Sequence, residues 1–269
     1  MTEVGAGLRM LTVDGREVLD GYSRHVACTG ARGLPLITSL DRTPARAASP
    51  KNAQLLRSQR WTCREQSDHH LVMGVDLRSV QQDADCLDLS VEYRLSDCGL
   101  TVRTTAINTG TQTCSYGAAH QPYLKFGARI DACRLQIAAD RYVLTDPHRA
   151  TLTTQASGGS EFDFASATAI GRQNLEVAIT GLDRDTEGRA WLWLTDPCSR
   201  TTALWVDQSY PFIEVYTSHT QAPPHFRTAL GVKPATCAPG ARRSGEGLLM
   251  LAPGQSTTAT WGITAPSPY

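Results

Sequence analysis

The sequence predicts an all-β sandwich, and three observations predict it. Short runs of apolar–polar alternation recur between turn signals. No long stretch places apolar residues at i, i+3, i+4 and i+7, as an amphipathic helix would. The alternating runs are spaced at about 8–12 residues, the spacing of a large sandwich. With 269 residues the chain can bury a full core without disulfides or metals. The loop-like stretches Thr43–Pro50, Ser157–Ser160 and Pro239–Gly247 are too short to be linkers, so residues 1–269 are expected to form one domain.

The elements follow in order. Cys86–Leu95 alternates, with Leu87, Leu89, Val91, Tyr93 and Leu95 on one face. Leu100–Asn108 continues after a turn at Asp97-Cys98-Gly99. Ala190–Thr195 and Ala203–Asp207 flank Asp196-Pro197-Cys198-Ser199-Arg200, which reads as a hairpin. Phe212–Thr217 is another strand, and Thr257–Ile263 is the last, after the turn Ala252-Pro253-Gly254-Gln255.

Charge and motif content exclude several functions. Lys+Arg and Asp+Glu both number 26, so the chain is formally neutral. It has no electrostatic footprint for nucleic acid or an anionic membrane. No apolar run reaches the ~18 residues that a spanning helix needs. Met1–Arg9 lacks a basic region followed by an apolar one, so no secretory signal is expected and the location is expected to be cytoplasmic. The eight cysteines are then expected to be reduced thiols, most of them small core residues. None has the C-x-x-C or Cys–His spacing of a zinc site. Adjacent His69 and His70 on a strand would point to opposite faces and cannot chelate one ion. No metal and no cofactor motif is expected. Lysine occurs only at 51, 125 and 233, so each is conspicuous.

Several segments resemble the aldose 1-epimerase (galactose mutarotase-like) family, especially its bacterial branch. The strongest runs from Gly231-Val-Lys-Pro-Ala-Thr-Cys-Ala-Pro-Gly-Ala-Arg-Arg-Ser-Gly-Glu-Gly-Leu248, followed by Leu251-Ala-Pro-Gly-Gln-Ser and Trp261-Gly-Ile. Gly7–Tyr22, Tyr116–Leu124, Leu182–Asp185 and Tyr210–Thr217 also fit, in order along nearly the whole chain. The resemblance implies a twisted β-sandwich (supersandwich) with a broad sugar-binding cleft on one sheet. It also implies ring opening of a cyclic hemiacetal by a carboxylate base and a His acid, with a second His assisting.

Carried over residue by residue, the resemblance shows changes at all three acid–base positions. The family's base, a Glu before Pro, is Lys233 here. An ammonium cannot accept a proton. The ring-oxygen acid, a His before Pro-Tyr, is Gln121, with His120 one residue earlier. One residue of offset sends a strand side chain to the opposite face, unless a bulge returns it. The second His is absent from Asn52–Trp61, where Leu55 roughly takes its place. The catalytic candidates are therefore Lys233, Gln121 and His120. Arg42 and Glu176 fit sugar-binding positions, and His219 falls near the cleft rim. Structural ion pairing or plain surface exposure is the alternative for these three. Trp61, Trp205, Tyr123 and Tyr216 are candidates for stacking on a ligand or for core packing.

Three functions are compatible with these residues. The first is a repurposed enzyme that opens, closes, isomerises or cyclises an oxygenated small molecule, with Lys233 in the cleft. The second is a sugar-binding pseudoenzyme. The third is a conventional epimerase with relocated groups, for which Glu176 and Glu214 are the candidate carboxylates. The partner is a small molecule or sugar in every case.

Overall fold

The computed structural model describes residues 1–21, 35–37, 59–78, 86–127, 129–145, 152–221 and 225–264. Its strands, numbered along the chain, form two large antiparallel sheets. The first sheet runs in the order β13 (Leu152–Ala156), β12 (Ala139–Thr145), β15 (Glu176–Leu182), β18 (Phe212–Tyr216), β19 (Leu230–Ala235), β9 (Ala118–His120) and β3 (Pro35–Ile37), with β10 (Tyr123–Leu124) also paired to β19. The second runs β14 (Thr168–Ala169), β11 (Arg134–Ile137), β16 (Ala190–Thr195), β17 (Thr201–Val206), β21 (Ser256–Thr264), β7 (Gly99–Asn108), β6 (Cys86–Ser96), β5 (His70–Arg78) and β4 (Thr62–Gln66). Two short ribbons complete it: β1 (Thr12–Val13) with β2 (Arg16–Glu17), and β8 (Cys114–Tyr116) with β20 (Leu249–Leu251).

The expected strands are all present, because their apolar faces meet in one core. Leu87, Leu89 and Val91 of β6, Leu192 and Leu194 of β16, and Trp261 and Ile263 of β21 share it with Ile213 and Val215 of β18 and Leu230 and Val232 of β19. Each strand thus contributes alternate residues, as period-two geometry requires. Leu95 departs from the expected face: it lies at the end of the β6–β7 hairpin, beyond the core, and is 45% exposed.

Turn chemistry fixes the hairpins. Asp196 Oδ1 accepts the backbone N–H groups of Cys198 and Arg200, each at 2.9 Å, and so closes the β16–β17 turn. Gly99 has φ +116°, and a Cβ there would lie 2.1 Å from the Ile263 carbonyl oxygen. Only glycine fits that approach. Pro239–Gly247 is not purely a loop as expected. It contains one helical turn, Ala241–Ser244, bounded by Gly240 and Gly245, both left-handed. Ser157–Ser160 is a turn, and Thr43–Pro50 lies outside the described residues.

Six cysteines have described side chains, all as free thiols. Cys114, Cys133 and Cys237 are buried, but Cys63, Cys98 and Cys198 are exposed. The expectation that most would be core residues thus holds for half of them. Among the described residues, no group of His, Cys, Asp and Glu could hold a metal ion, and no helix is long and apolar enough to cross a membrane.

Candidate functional site

The two faces of the first sheet are chemically different. Along β18, Ile213 and Val215 enter the main core, while Phe212, Glu214 and Tyr216 point the other way. The cross-strand register extends this outer face. Glu176 of β15 stands opposite Tyr216, which stands opposite Gly231 of β19, which stands opposite Tyr123 of β10. In the next row Val143, Ala178, Glu214 and Lys233 stand side by side on β12, β15, β18 and β19. A third row places Phe212 beside Ala235 and Ala235 beside Ala119. The apolar members of these rows form a small buried cluster with Ala238, separate from the main core.

Lys233 and Glu214 are directly opposed, and Lys233 Nζ donates to Glu214 Oε1 at 2.8 Å. Both side chains are about a quarter exposed, 27% and 26%. Burial does not hide the pair and solvent does not swamp it. As found, Lys233 is a cationic donor, and the carboxylate of this row belongs to the neighbouring strand.

Tyr123 and Tyr216 meet over Gly231. Their rings are edge-to-face, with centroids 6.5 Å apart. A Cβ on Gly231 would come within 3.2 Å of the Tyr123 ring and 3.3 Å of the Tyr216 ring. The missing side chain is what lets the two rings settle on the sheet. Gln121 joins them: its Nε2 donates to the Tyr123 hydroxyl at 3.3 Å. The Tyr216 hydroxyl lies 2.5 Å from Thr220 Oγ1, which ties the ring to the following turn.

His120 goes the other way. Ala118 is in the main core, Ala119 is in the outer cluster, and His120 turns inward again. Its Nε2 lies 2.7 Å from Thr104 Oγ1 on the second sheet, and its ring packs against Trp261 with centroids 5.3 Å apart. The side chain is 1% exposed, and Nδ1 has no partner among the described residues. Burial pushes its pKa down to about 3, so the imidazole is neutral. No bulge returns it to the outer face, and Gln121 is the residue presented there. The alternation of a regular strand accounts for this.

The rim is built from the turn after β18. His219 is half-buried beside Tyr216, with ring centroids 5.4 Å apart, and its Nδ1 lies 3.0 Å from Thr217 Oγ1. Leu175 donates its backbone N–H to the same Thr217 oxygen at 3.1 Å, which fixes the entry to β15 and thus Glu176. Glu176 itself is exposed, and its side chain makes no hydrogen bond or ion pair among the described residues. Arg227 braces the same corner. Its guanidinium pairs with Asp131 and donates to the carbonyls of Gly171 and Gln173 and to Asn174 Oδ1. Arg42 and Leu55 lie outside the described residues.

The structure therefore brings Lys233, Gln121, Glu176 and His219 to one face and leaves His120 in the core. Trp61 is buried at 2%, and Trp205 sits on the far sheet under the Arg189 guanidinium, so neither belongs to this face. Glu214 was open on sequence grounds because its face was undetermined. The signal was present in Phe212-Ile-Glu-Val-Tyr216, where apolar Ile213 and Val215 put Glu214 and Tyr216 together on the other side.

Comparison with known proteins agrees with this fold. The family described as aldose 1-epimerase matches residues 53–264. The curated protein YihR of Escherichia coli K12, which is uncharacterised, is 27% identical over 162 residues, or 58% of this chain. The match covers 48% of YihR, so this chain aligns with about half of that relative's length. Among solved structures, a GalM/aldose epimerase homologue from C. elegans superposes with a TM-score of 0.79 at 16% identity, covering 97% of this chain and 93% of the other. A galactose mutarotase-like protein from Clostridium acetobutylicum gives 0.78 at 15% identity, over 98% and 91%. Galactose 1-epimerase from Lactobacillus acidophilus gives 0.74 at 15% identity, over 98% and 90%. At these identities the superpositions establish the fold, a galactose mutarotase-like arrangement of antiparallel sheets.

Proposed function

The chain belongs to the aldose 1-epimerase family, and we propose that it is an isomerase-type enzyme acting on a cyclic, oxygenated small molecule of sugar type, bound on the outer face of the first sheet. The observation that carries this reading is the partly exposed Lys233–Glu214 pair on that face, with Lys233 at the position where the family resemblance places a Glu. Around it stand groups suited to a polyhydroxylated ring. Gln121, Glu176 and His219 offer donors and acceptors, and Tyr216, packed against the buried Tyr123 ring, offers an aromatic surface. The reaction is ring opening and closure, or an isomerisation or cyclisation that passes through the same kind of opened carbonyl. No cofactor is needed for proton transfer of this kind. Specialised metabolism in a bacterial cytoplasm is the setting we assign, and free thiols at six cysteines are compatible with it.

The second reading is a sugar-binding protein without turnover. Two observations favour it: a cation at position 233, and a His120 that is neutral and inaccessible in the core. One experiment separates the two. Fresh α-glucose and α-galactose are followed by NMR with and without protein, alongside calorimetry. Acceleration of anomer exchange well above the buffer rate supports the enzyme. Heat of binding without acceleration supports the binding protein. Neither signal, across common aldoses and sugar phosphates, overturns both.

A further inference from the structure

We propose that Glu214 is the proton acceptor of this site, and that Glu214 and Lys233 work as one bifunctional couple on the two oxygens of a hemiacetal carbon. The inference rests on the isomerase reading above and adds a catalytic residue to it. Four features carry it. The two residues are directly opposed in the antiparallel register, so their side chains leave the same face side by side. Nζ and Oε1 are 2.8 Å apart. Glu214 Oε2 has no hydrogen-bond partner among the described residues, and Glu214 is the only described partner of the ammonium, which has three N–H groups. The flanking residues in and beside the row are apolar: Val143, Ala178, Phe212 and Ala235.

Stability gives little reason for such a pair. Partly exposed ion pairs are worth about 0–1 kcal/mol, and an apolar replacement would suit the neighbouring cluster at least as well. A ligand gives a better one. The anomeric hydroxyl and the ring oxygen of a cyclic hemiacetal are bonded to one carbon. An acceptor and a donor already at hydrogen-bond separation can therefore address both oxygens together, and no acid is required from the opposite side of the sugar. His120 and Gln121 then need no proton-transfer role.

The transfers balance without a co-reactant. Glu214 Oε2 takes the proton of the anomeric hydroxyl, and the carbonyl π bond forms as the bond from carbon to ring oxygen breaks. The released electron pair goes to the ring oxygen, which takes a proton from Lys233 Nζ. A carboxylic acid, a neutral amine and an open-chain carbonyl remain. After rotation about the bond to the carbonyl carbon, the hydroxyl oxygen adds to the other face and returns its proton to Nζ. The carbonyl oxygen takes the proton back from Glu214. The couple is regenerated and the anomeric centre is inverted.

The test measures anomer exchange of fresh α-glucose, α-galactose and sugar phosphates by NMR, with wild type, Glu214→Gln, Lys233→Met and the exchanged double variant Glu214→Lys/Lys233→Glu. Each variant is first checked for a native melting transition. Each single variant is expected to lose about 100-fold or more, the range of a general acid or base. The exchanged variant, which restores a carboxylate beside an ammonium, is expected to recover at least about tenfold over either single variant. Wild-type activity retained in folded Glu214→Gln or Lys233→Met overturns the couple and leaves the isomerase reading standing. Failure of the exchanged variant to exceed the single variants also overturns it. No acceleration by wild type overturns the isomerase reading and the couple together.

Discussion

His120 Nε2 and Thr104 Oγ1, 2.7 Å apart, form a hydrogen bond that crosses from the first sheet to the second inside the core. The bond holds a neutral imidazole whose pKa burial pushes down to about 3. The sign of the linkage follows. In the unfolded chain the same imidazole titrates near its ordinary value of about 6.5. The unfolded state therefore binds a proton below that value, while the folded state does not until about pH 3. The stability from this group is complete above about pH 6.5 and is lost as pH falls from there towards 3. Each unit is worth about 1.4 kcal/mol, so about 2–3 kcal/mol is lost by about pH 4.5. His120→Gln keeps a partner for Thr104 but does not titrate. Urea unfolding at about pH 7.5 and about pH 4.5 should show a smaller acid loss in that variant than in wild type. Equal losses in the two proteins would refute the assignment.

Arg227 should be far more costly to remove than a surface arginine. Its side chain is 4% exposed and reaches Asp131, two backbone carbonyls and Asn174. Burial would raise the Asp131 carboxyl, but the hydrogen bonds from Arg227 and Arg129 outweigh it and hold it below its ordinary value. Arg227→Met leaves Asp131 with Arg129 alone and strands the two carbonyls and Asn174 Oδ1, which costs about 3 kcal/mol. Arg64→Met removes a pair with Asp88 whose side chains are 34% and 24% exposed, and should cost under about 1 kcal/mol. Denaturant midpoints of the two variants provide the comparison.

Two glycines separate a tolerant close approach from an intolerant one. At Gly231 the atoms nearest to a Cβ belong to the Tyr123 and Tyr216 rings, at 3.2–3.3 Å. Gly231→Ala should cost about 1–2 kcal/mol as the rings move, and should weaken any ligand held on the outer face. At Gly262 a Cβ would lie 2.5 Å from the Trp205 indole and 2.7 Å from the Leu100 carbonyl oxygen. The backbone cannot retreat, because Gly262 is in register with both Trp205 and Thr101. Gly262→Ala should cost about 3 kcal/mol and shift Trp fluorescence. A ligand affinity unchanged by Gly231→Ala would remove the tyrosine pair from the binding face.

The fold was legible in the sequence because each long strand carries its own period-two pattern, as Leu87, Leu89 and Val91 do. The helical turn at Ala241–Ser244 was not, since four residues are too few to show a 3.6-residue period. At the site, alternation alone left the faces of Gln121 and His120 open to a bulge, and the structure turns His120 inward to Thr104 and joins Gln121 to the Tyr123 hydroxyl. Long-range pairing was out of reach. Glu214 and Lys233 lie on different strands, and only the register that opposes them makes them partners. Arg227 gave no local signal, because its partners come from 131, 171, 173 and 174.

The thiols should divide into two reactivity classes under alkylation. Thiolate is the reacting species, so reactivity depends on access and on pKa together. Cys63, Cys98 and Cys198 are exposed and should be labelled by iodoacetamide within minutes at about pH 8. Cys133 is 1% exposed, and burial pushes its thiol up to about 11, with Asp196 and Asp131 adding to the rise. Two units above an ordinary thiol reduce the thiolate fraction about 100-fold before access is considered. Cys133 should therefore resist labelling in the native protein, as should buried Cys114 and Cys237, and all three should react once the chain is unfolded in urea. Peptide mass spectrometry resolves each site. Rapid native labelling of Cys133 would mean that the corner it shares with Asp131 and Asp196 opens far more readily than its packing implies.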